Sequence, residues 1–211
     1  MVLPCARAAV RRLKAADPVL ARLIAEVGPC RLAPQDMDTF ESLVQSIIYQ
    51  QLNGKAAAPI HGRVLALFNG GKTLTPALLL KTPRAKLRGA GLSANKLIAV
   101  RDLAVKCLSG VVAPRALLEP LPDAEIIARL SQVRGIGEWT AQMFLMFKLG
   151  RPDVLPSGDY GVRKAFGLLY RSSGRLPPPS AVEKHGRLWA PYRTVASWYL
   201  WRKLDTKGQA G

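Results

Sequence analysis

The chain has 211 residues, is 49% hydrophobic, and sets 31 basic against 14 acidic side chains for a formal charge of +17. That length and apolar content suffice for a core in one domain or two small ones, and no apolar run approaches the roughly 18 residues of a membrane span. Cys5, Cys30 and Cys107 are odd in number, far apart and without C-x-x-C spacing, which argues against a disulfide framework, a zinc site and an iron–sulfur cluster and fits a reducing, intracellular compartment.

The charge speaks of partners rather than fold. It is spread along the chain and points to a polyanion, nucleic acid before an anionic membrane surface. A merely solvated, arginine-rich surface is the alternative. In chain order, "MVLPCARAAVRRLK" carries its arginines after its short apolar stretch, so an amphipathic first helix is expected rather than a secretory signal. "DTFESLVQSIIYQQL" opens on Asp38 with Glu41 three residues on, a capping-box pattern, and its apolar residues fall at helical spacing. In "GKAAAPIHGRVLALF", Pro59 should kink or start a helix. "TPALLLK" and "TPRAKLR" each read as a threonine cap followed by proline. "SANKLIAVRDLAVKCL", "DAEIIARLSQV" and "SAVEKHGRLW" read as helices capped by Ser93, Asp123 and Ser180. Residues 110–122 and 172–179 read as the loosest links. No period-two alternation, hairpin signal or internal repeat is present. An all-α fold of about nine or ten helices follows.

One helical pattern is interrupted. In "DAEIIARLSQVRGIGEWTAQMFLMF" a helix is expected to about Gln132, a turn through Val133–Gly137 and a new helix from Glu138. Gly135 and Gly137 permit positive φ and close backbone approach. The first N–H groups of the new helix and the positive end of its dipole make an anion site suited to a DNA phosphate. A helix corner whose glycines serve packing alone is the other reading. Further on, "DVLPSGDYGVRKAF" makes a tight turn that delivers Asp159 to a helix start. Taken alone, Asp159 is explained as a cap.

Together, "SIIYQQLNGKAA", "GLSANK", "GIGEWTA", "LPSGDY" and "WAPYRTVASWYLW", over about residues 40 to 201, resemble the helix-hairpin-helix-Gly/Pro-Asp superfamily of DNA glycosylases. Within it they are most similar to the 3-methyladenine DNA glycosylase II family. The resemblance implies two helical lobes with a cleft between them: residues 36–149 with the hairpin at about 124–148, and residues 1–35 plus 150–211 carrying the catalytic aspartate. It implies the compact form without an N-terminal β-rich domain. Asp159 falls at the family's catalytic position. Trp139 falls where strand-cutting relatives keep a lysine, which implies a monofunctional hydrolase. Trp139, Trp201, Tyr160 and Met143 fall at base-pocket positions. Gln51, Leu52 and Asn53 fall where a residue fills the gap left by the flipped nucleotide. Gly135, Gly137 and Thr140 belong to the phosphate-binding hairpin. The carbonyls of Ser131, Val133 and Ile136 match those that hold a monovalent cation, Na⁺ or K⁺. No organic cofactor is implied. The expected partner is double-stranded DNA with alkylated bases, met by a monomer in the cytoplasm or nucleoid of a bacterium or the nucleus of a eukaryote.

The chemistry fits these residue types. A base inside a duplex must be flipped out to be reached. A purine alkylated at N3 or N7 is a cationic, good leaving group, attracted to aromatic faces such as Trp139 and Trp201. One carboxylate suffices to stabilise the oxocarbenium-like sugar left behind. Two rivals remain at this level: a non-catalytic hairpin module that only binds DNA, and a bifunctional glycosylase/lyase acting on oxidised bases.

Overall fold

The computed structural model describes residues 3–68, 73–171 and 175–205, and within them the chain is helical with no strand. The helices are α1 (Ala6–Ala16), α2 (Pro18–Val27), α3 (Thr39–Tyr49), α4 (Gly54–Ala66), α5 (Pro76–Lys81), α6 (Arg84–Gly89), α7 (Ala94–Leu108), α8 (Arg115–Leu118), α9 (Asp123–Leu130), α10 (Glu138–Phe147), α11 (Tyr160–Tyr170), α12 (Pro179–Gly186) and α13 (Arg193–Asp205), with a 3₁₀ turn at Arg187–Trp189. These thirteen exceed the nine or ten expected. The excess includes α2, announced by Asp17-Pro18, and the single turn α8, which interrupts the stretch expected to be loop. Residues 172–174 of the other expected loop lie outside the described residues. Among the described residues no helix is long and apolar enough to cross a membrane.

Side-chain capping explains several helix starts. Asp38, Thr75, Ser93 and Asp159 each accept backbone N–H groups at the starts of α3, α5, α7 and α11. Three expected caps are corrected. Thr82 precedes a proline, which pushes it out of helical geometry; its hydroxyl turns back to the Leu78 carbonyl at 2.9 Å and closes α5 instead. Asp123 and Ser180 lie inside their helices, where Pro122 and Pro178 occupy the cap positions. Asp123 then favours the helix dipole from the first turn. Pro59 does not begin a helix. α4 starts five residues earlier, where Asn53 Oδ1 accepts Ala56 N–H at 2.9 Å, and runs through the proline.

The chain divides into two compact units, residues 1–35 with 145–211, and residues 36–144. The division falls inside α10, rather than after it at 149. In the second unit, α7 packs against α3, α5 and α6. Leu43, Val44, Ile47 and Ile48 of α3 and Val100 and Leu103 of α7 are among its buried residues. In the first unit, α1, α2, α11 and α13 surround a core of Leu13, Leu20, Leu23, Val162, Phe166, Trp189, Tyr199 and Leu200.

At the edge of that core sits a polar group the sequence did not single out. Asp17 is 3% exposed. Its Oδ1 caps α2 by accepting Val19 and Leu20 N–H, both at 3.0 Å. Its Oδ2 accepts from Tyr170 Oη at 2.7 Å and Trp189 Nε1 at 2.8 Å, and meets His185 Nε2 at 2.9 Å. Burial alone would raise its pKa; the donors from Leu20, Trp189, His185 and Tyr170 together hold it below the usual carboxylate value. His185, isolated in the sequence, is thereby a packing and hydrogen-bonding residue, with its ring set edge-on or tilted among Phe166, Tyr170 and Trp189.

Candidate active site

In the first unit the site is built around Asp159. The segment leading to it is fastened to α13. Asp153 takes Arg193 in two bonds of 2.7 and 2.8 Å. Thr194 Oγ1 donates to the Arg151 carbonyl at 2.6 Å and accepts Val154 N–H at 2.9 Å. The turn then closes with Asp159 N–H donating to the Pro156 carbonyl at 3.0 Å, while Ser157 Oγ donates to Glu183 at 2.7 Å. Asp159 Oδ1 accepts Val162 N–H at 2.8 Å, which caps α11. It also accepts Trp201 Nε1 of α13 at 2.8 Å. Trp201 stacks on its other side against Phe147, with ring centroids 5.9 Å apart.

Gly161 makes this approach possible. A Cβ there would stand 2.9 Å from Trp201 Cδ1 and 3.1 Å from Asp159 Oδ1. The indole expected as a base-pocket wall therefore has its N–H directed at the carboxylate. Tyr160 is 62% exposed and stands on α11 with Lys164 5.6 Å from its ring centre. Two donors on one oxygen fix a carboxylate's orientation, which is what stabilising a short-lived cation requires.

In the second unit an open cavity of ≈ 630 Å³ is lined by Ser46, Tyr49, Gln50, Gln51, Leu52, Trp139, Thr140 and Met143. It gathers expected pocket residues (Trp139, Met143), expected gap-filling residues (Gln51, Leu52) and Thr140, which lines the cavity and is buried. Trp139 is 50% exposed, unusual for an indole placed only to pack. The end of α3 is a type II turn. Gln50 has φ −53 and ψ 134, Gln51 has φ 58, and Leu52 N–H donates to the Tyr49 carbonyl at 3.2 Å. Among the described residues Gln51 is the one non-glycine with positive φ, a conformation that costs a glutamine of order 1 kcal/mol. Leu52, beside it, is 38% exposed. The Asn53 side chain is engaged in capping α4.

The hairpin divides the roles of its glycines. Gly135 has φ +82, and a Cβ there would lie 3.5 Å from Ala99 Cβ; it is needed for backbone conformation. Gly137 is not left-handed and a Cβ there would meet nothing within 4 Å, so the space before it is open to a ligand. Val133 and Ile136 are buried and anchor the loop, with Ile136 N–H donating to the Val133 carbonyl at 3.0 Å. Ser131 closes α9 and is exposed. Glu138 accepts from Gln142 one turn on. Gly137→Ala is expected to leave folding intact yet weaken duplex binding by about tenfold, the scale of one hydrogen bond to a charged group. Equal affinities of the two proteins for undamaged duplex would remove the hairpin from the interface.

Sequence reasoning missed three residues that hold these parts. Asp102 Oδ2 on α7 accepts Arg134 N–H at 2.7 Å, and Lys106 pairs with the same carboxylate at 2.9 Å. Lys96 Nζ donates to the Ile48 carbonyl at 2.7 Å, satisfying an end carbonyl of α3. Gln50 Nε2 donates to the Gly135 carbonyl at 2.7 Å. The contacts to Arg134, Ile48 and Gly135 are long-range, spanning 32, 48 and 85 residues, and periodicity carries no signal for them.

The family model described as "HhH-GPD superfamily base excision DNA repair protein" matches residues 44–191. DNA-3-methyladenine glycosylase 1 of Schizosaccharomyces pombe is 34% identical over 183 residues, covering 87% of this chain and 79% of that protein. Among solved structures, a DNA-3-methyladenine glycosidase of Bacillus halodurans superposes with TM-score 0.86 at 38% identity, over 96% of this chain and 91% of that one. The S. pombe 3-methyladenine glycosylase in complex with abasic DNA superposes with TM-score 0.82 at 33% identity, over 93% and 96%.

Proposed function

The chain belongs to the HhH-GPD superfamily of base excision DNA repair proteins, and from that premise we propose that it is a monofunctional DNA glycosylase, acting as a monomer on duplex DNA and hydrolysing the N-glycosidic bond of alkylated purines. The observation that carries the reading is the doubly held carboxylate. Asp159 begins a helix, follows a Gly/Pro turn and receives the indole N–H of Trp201, an investment beyond what a helix cap needs.

In this reading the backbone N–H groups at Gly137 and the start of α10 take a phosphate, and Leu52, on its strained turn, fills the gap left by the extruded nucleotide. The alkylated base is taken on aromatic and thioether surface, Trp139 and Met143, without a carboxylate or ammonium group lining that cavity. As the base departs with its electron pair, its positive charge is neutralised and the sugar becomes cationic. Asp159 stabilises that cation and orients or deprotonates the water that attacks it. Trp139 supplies no amine, so no Schiff base forms at its position, and borohydride should trap no covalent complex.

The carbonyls of Ser131, Val133 and Ile136 are neutral, hard donors that suit Na⁺ or K⁺, and the Val133 oxygen, taking one N–H, has a second lone pair available. An ion there would add positive charge beside the phosphate. Exchanging both ions for a bulky organic cation should then weaken duplex binding.

One assay tests the function: release of 3-methyladenine, 7-methylguanine, hypoxanthine and ethenoadenine from duplex DNA. Cationic alkylpurines are expected to be released fastest relative to their uncatalysed rates. Trp139→Ala should lower their release by about 2- to 30-fold, the scale of one lost cation–π contact of about 0.5–2 kcal/mol, while binding of undamaged duplex changes less. Hypoxanthine released as fast as 3-methyladenine, after that correction, would contradict the aromatic-face account. No release of any base would leave the protein a binding module. Affinity should also fall steeply with salt as phosphates are neutralised.

A further inference from the structure

We propose that Gln50 is a positioning residue that holds the gap-filling turn in register with the phosphate-binding hairpin. The inference rests on the DNA reading above. Gln50 has two functions at once. Its backbone is the first corner of the turn that presents Gln51 and Leu52. Its side-chain amide reaches across 85 residues of sequence to the Gly135 carbonyl at 2.7 Å. That carbonyl's direction follows from the left-handed conformation of Gly135, whose φ is +82.

Helix α3, which leads into the turn, and the hairpin are each tied separately to α7, through Lys96 to Ile48 and through Asp102 to Arg134. Those ties fix each element to a common helix. The Gln50 bond joins the two elements to each other and closes the circuit. It lies in exposed surroundings, where a neutral hydrogen bond adds little to stability. What it adds is orientation. Once the hairpin has taken a phosphate, the turn meets the duplex at a set distance, so that the gap-filling contact and the phosphate contact are made together. The two contacts are then energetically coupled, and Gln50 carries the coupling.

The experiment is a double-mutant cycle read as affinity for a duplex containing a tetrahydrofuran abasic-site analogue. Leu52→Ala and Gly137→Ala are measured singly and together, in the parent and in Gln50→Ala and Gln50→Met backgrounds. In the parent the double variant should weaken binding less than the product of the singles, by about threefold or more. In both Gln50 backgrounds the product should hold within about twofold. Methionine keeps the length without the N–H, so agreement of the two backgrounds assigns the effect to the hydrogen bond. Circular dichroism of the Gln50 variants should match the parent, and a lost fold would make Gln50 a structural residue and overturn the proposal. Coupling that survives in the Gln50 backgrounds, or is absent from the parent while both singles weaken binding, refutes the strut and leaves the DNA reading standing. Singles that bind like the parent would sink the DNA reading and the strut with it.

Discussion

Asp159→Asn is expected to lower base release by at least about 10²-fold, the scale of removing one electrostatic stabiliser from a transition state, while the protein stays folded and binds DNA. Asp159 Oδ1 accepts both the Val162 N–H and the Trp201 Nε1–H. An asparagine carbonyl oxygen can accept both, and Asn caps a helix about as well as Asp. The substitution therefore isolates charge from shape. The fall should be largest for neutral lesions, which are poor leaving groups and depend most on stabilisation of the sugar cation. Single-turnover release of 3-methyladenine at near the parent rate, with α11 intact by circular dichroism, would reduce Asp159 to a cap and return the chain to the binding-module reading.

Asp17→Ala is expected to cost about 3 kcal/mol or more, because it strands the buried Trp189 indole N–H and the Tyr170 hydroxyl and uncaps α2. At 2–4 °C per kcal/mol for a protein of this size, the melting temperature should fall by roughly 6–12 °C. The pH dependence has a definite sign. A carboxylate whose folded pKa lies below its ordinary value contributes stability that is present above that ordinary value, about 3.9, and is lost as pH falls through the folded pKa. The parent should lose this contribution in strong acid, and Asp17→Asn should show a shallower acid loss. A melting temperature within about 2 °C of the parent at neutral pH would mean that the donors find water instead. Asp17 lies in the same unit as Asp159 and receives Tyr170 from the far end of α11, so loss of stability without loss of turnover in the folded fraction separates scaffold from chemistry.

Local chemistry was legible in the sequence. Helical periodicity in "DTFESLVQSIIYQQL", the caps at Asp38, Thr75, Ser93 and Asp159, and the Gly-x-Gly break before Glu138 all depend on neighbours within about four residues, which a linear pattern contains. The motifs that suggested Asp159 and Trp139 are local in the same sense. Where two local signals competed, the reading failed: at Thr82, Asp123 and Ser180 a proline one or two residues away took the cap position and left the polar residue another role. What the tertiary structure alone decided are the contacts whose partners lie far apart in the chain. Asp17 became a buried acceptor because α11, α12 and the 3₁₀ turn bring Tyr170, His185 and Trp189 to it. The Trp201 indole was directed to Asp159 because Gly161 leaves room and α13 is pinned to the preceding loop by Arg193 and Thr194. Gln50, Lys96 and Asp102 read as ordinary polar residues on helix surfaces, and a side chain's hydrogen-bond partner across 85 residues is set by how helices pack, which no spacing along the sequence encodes.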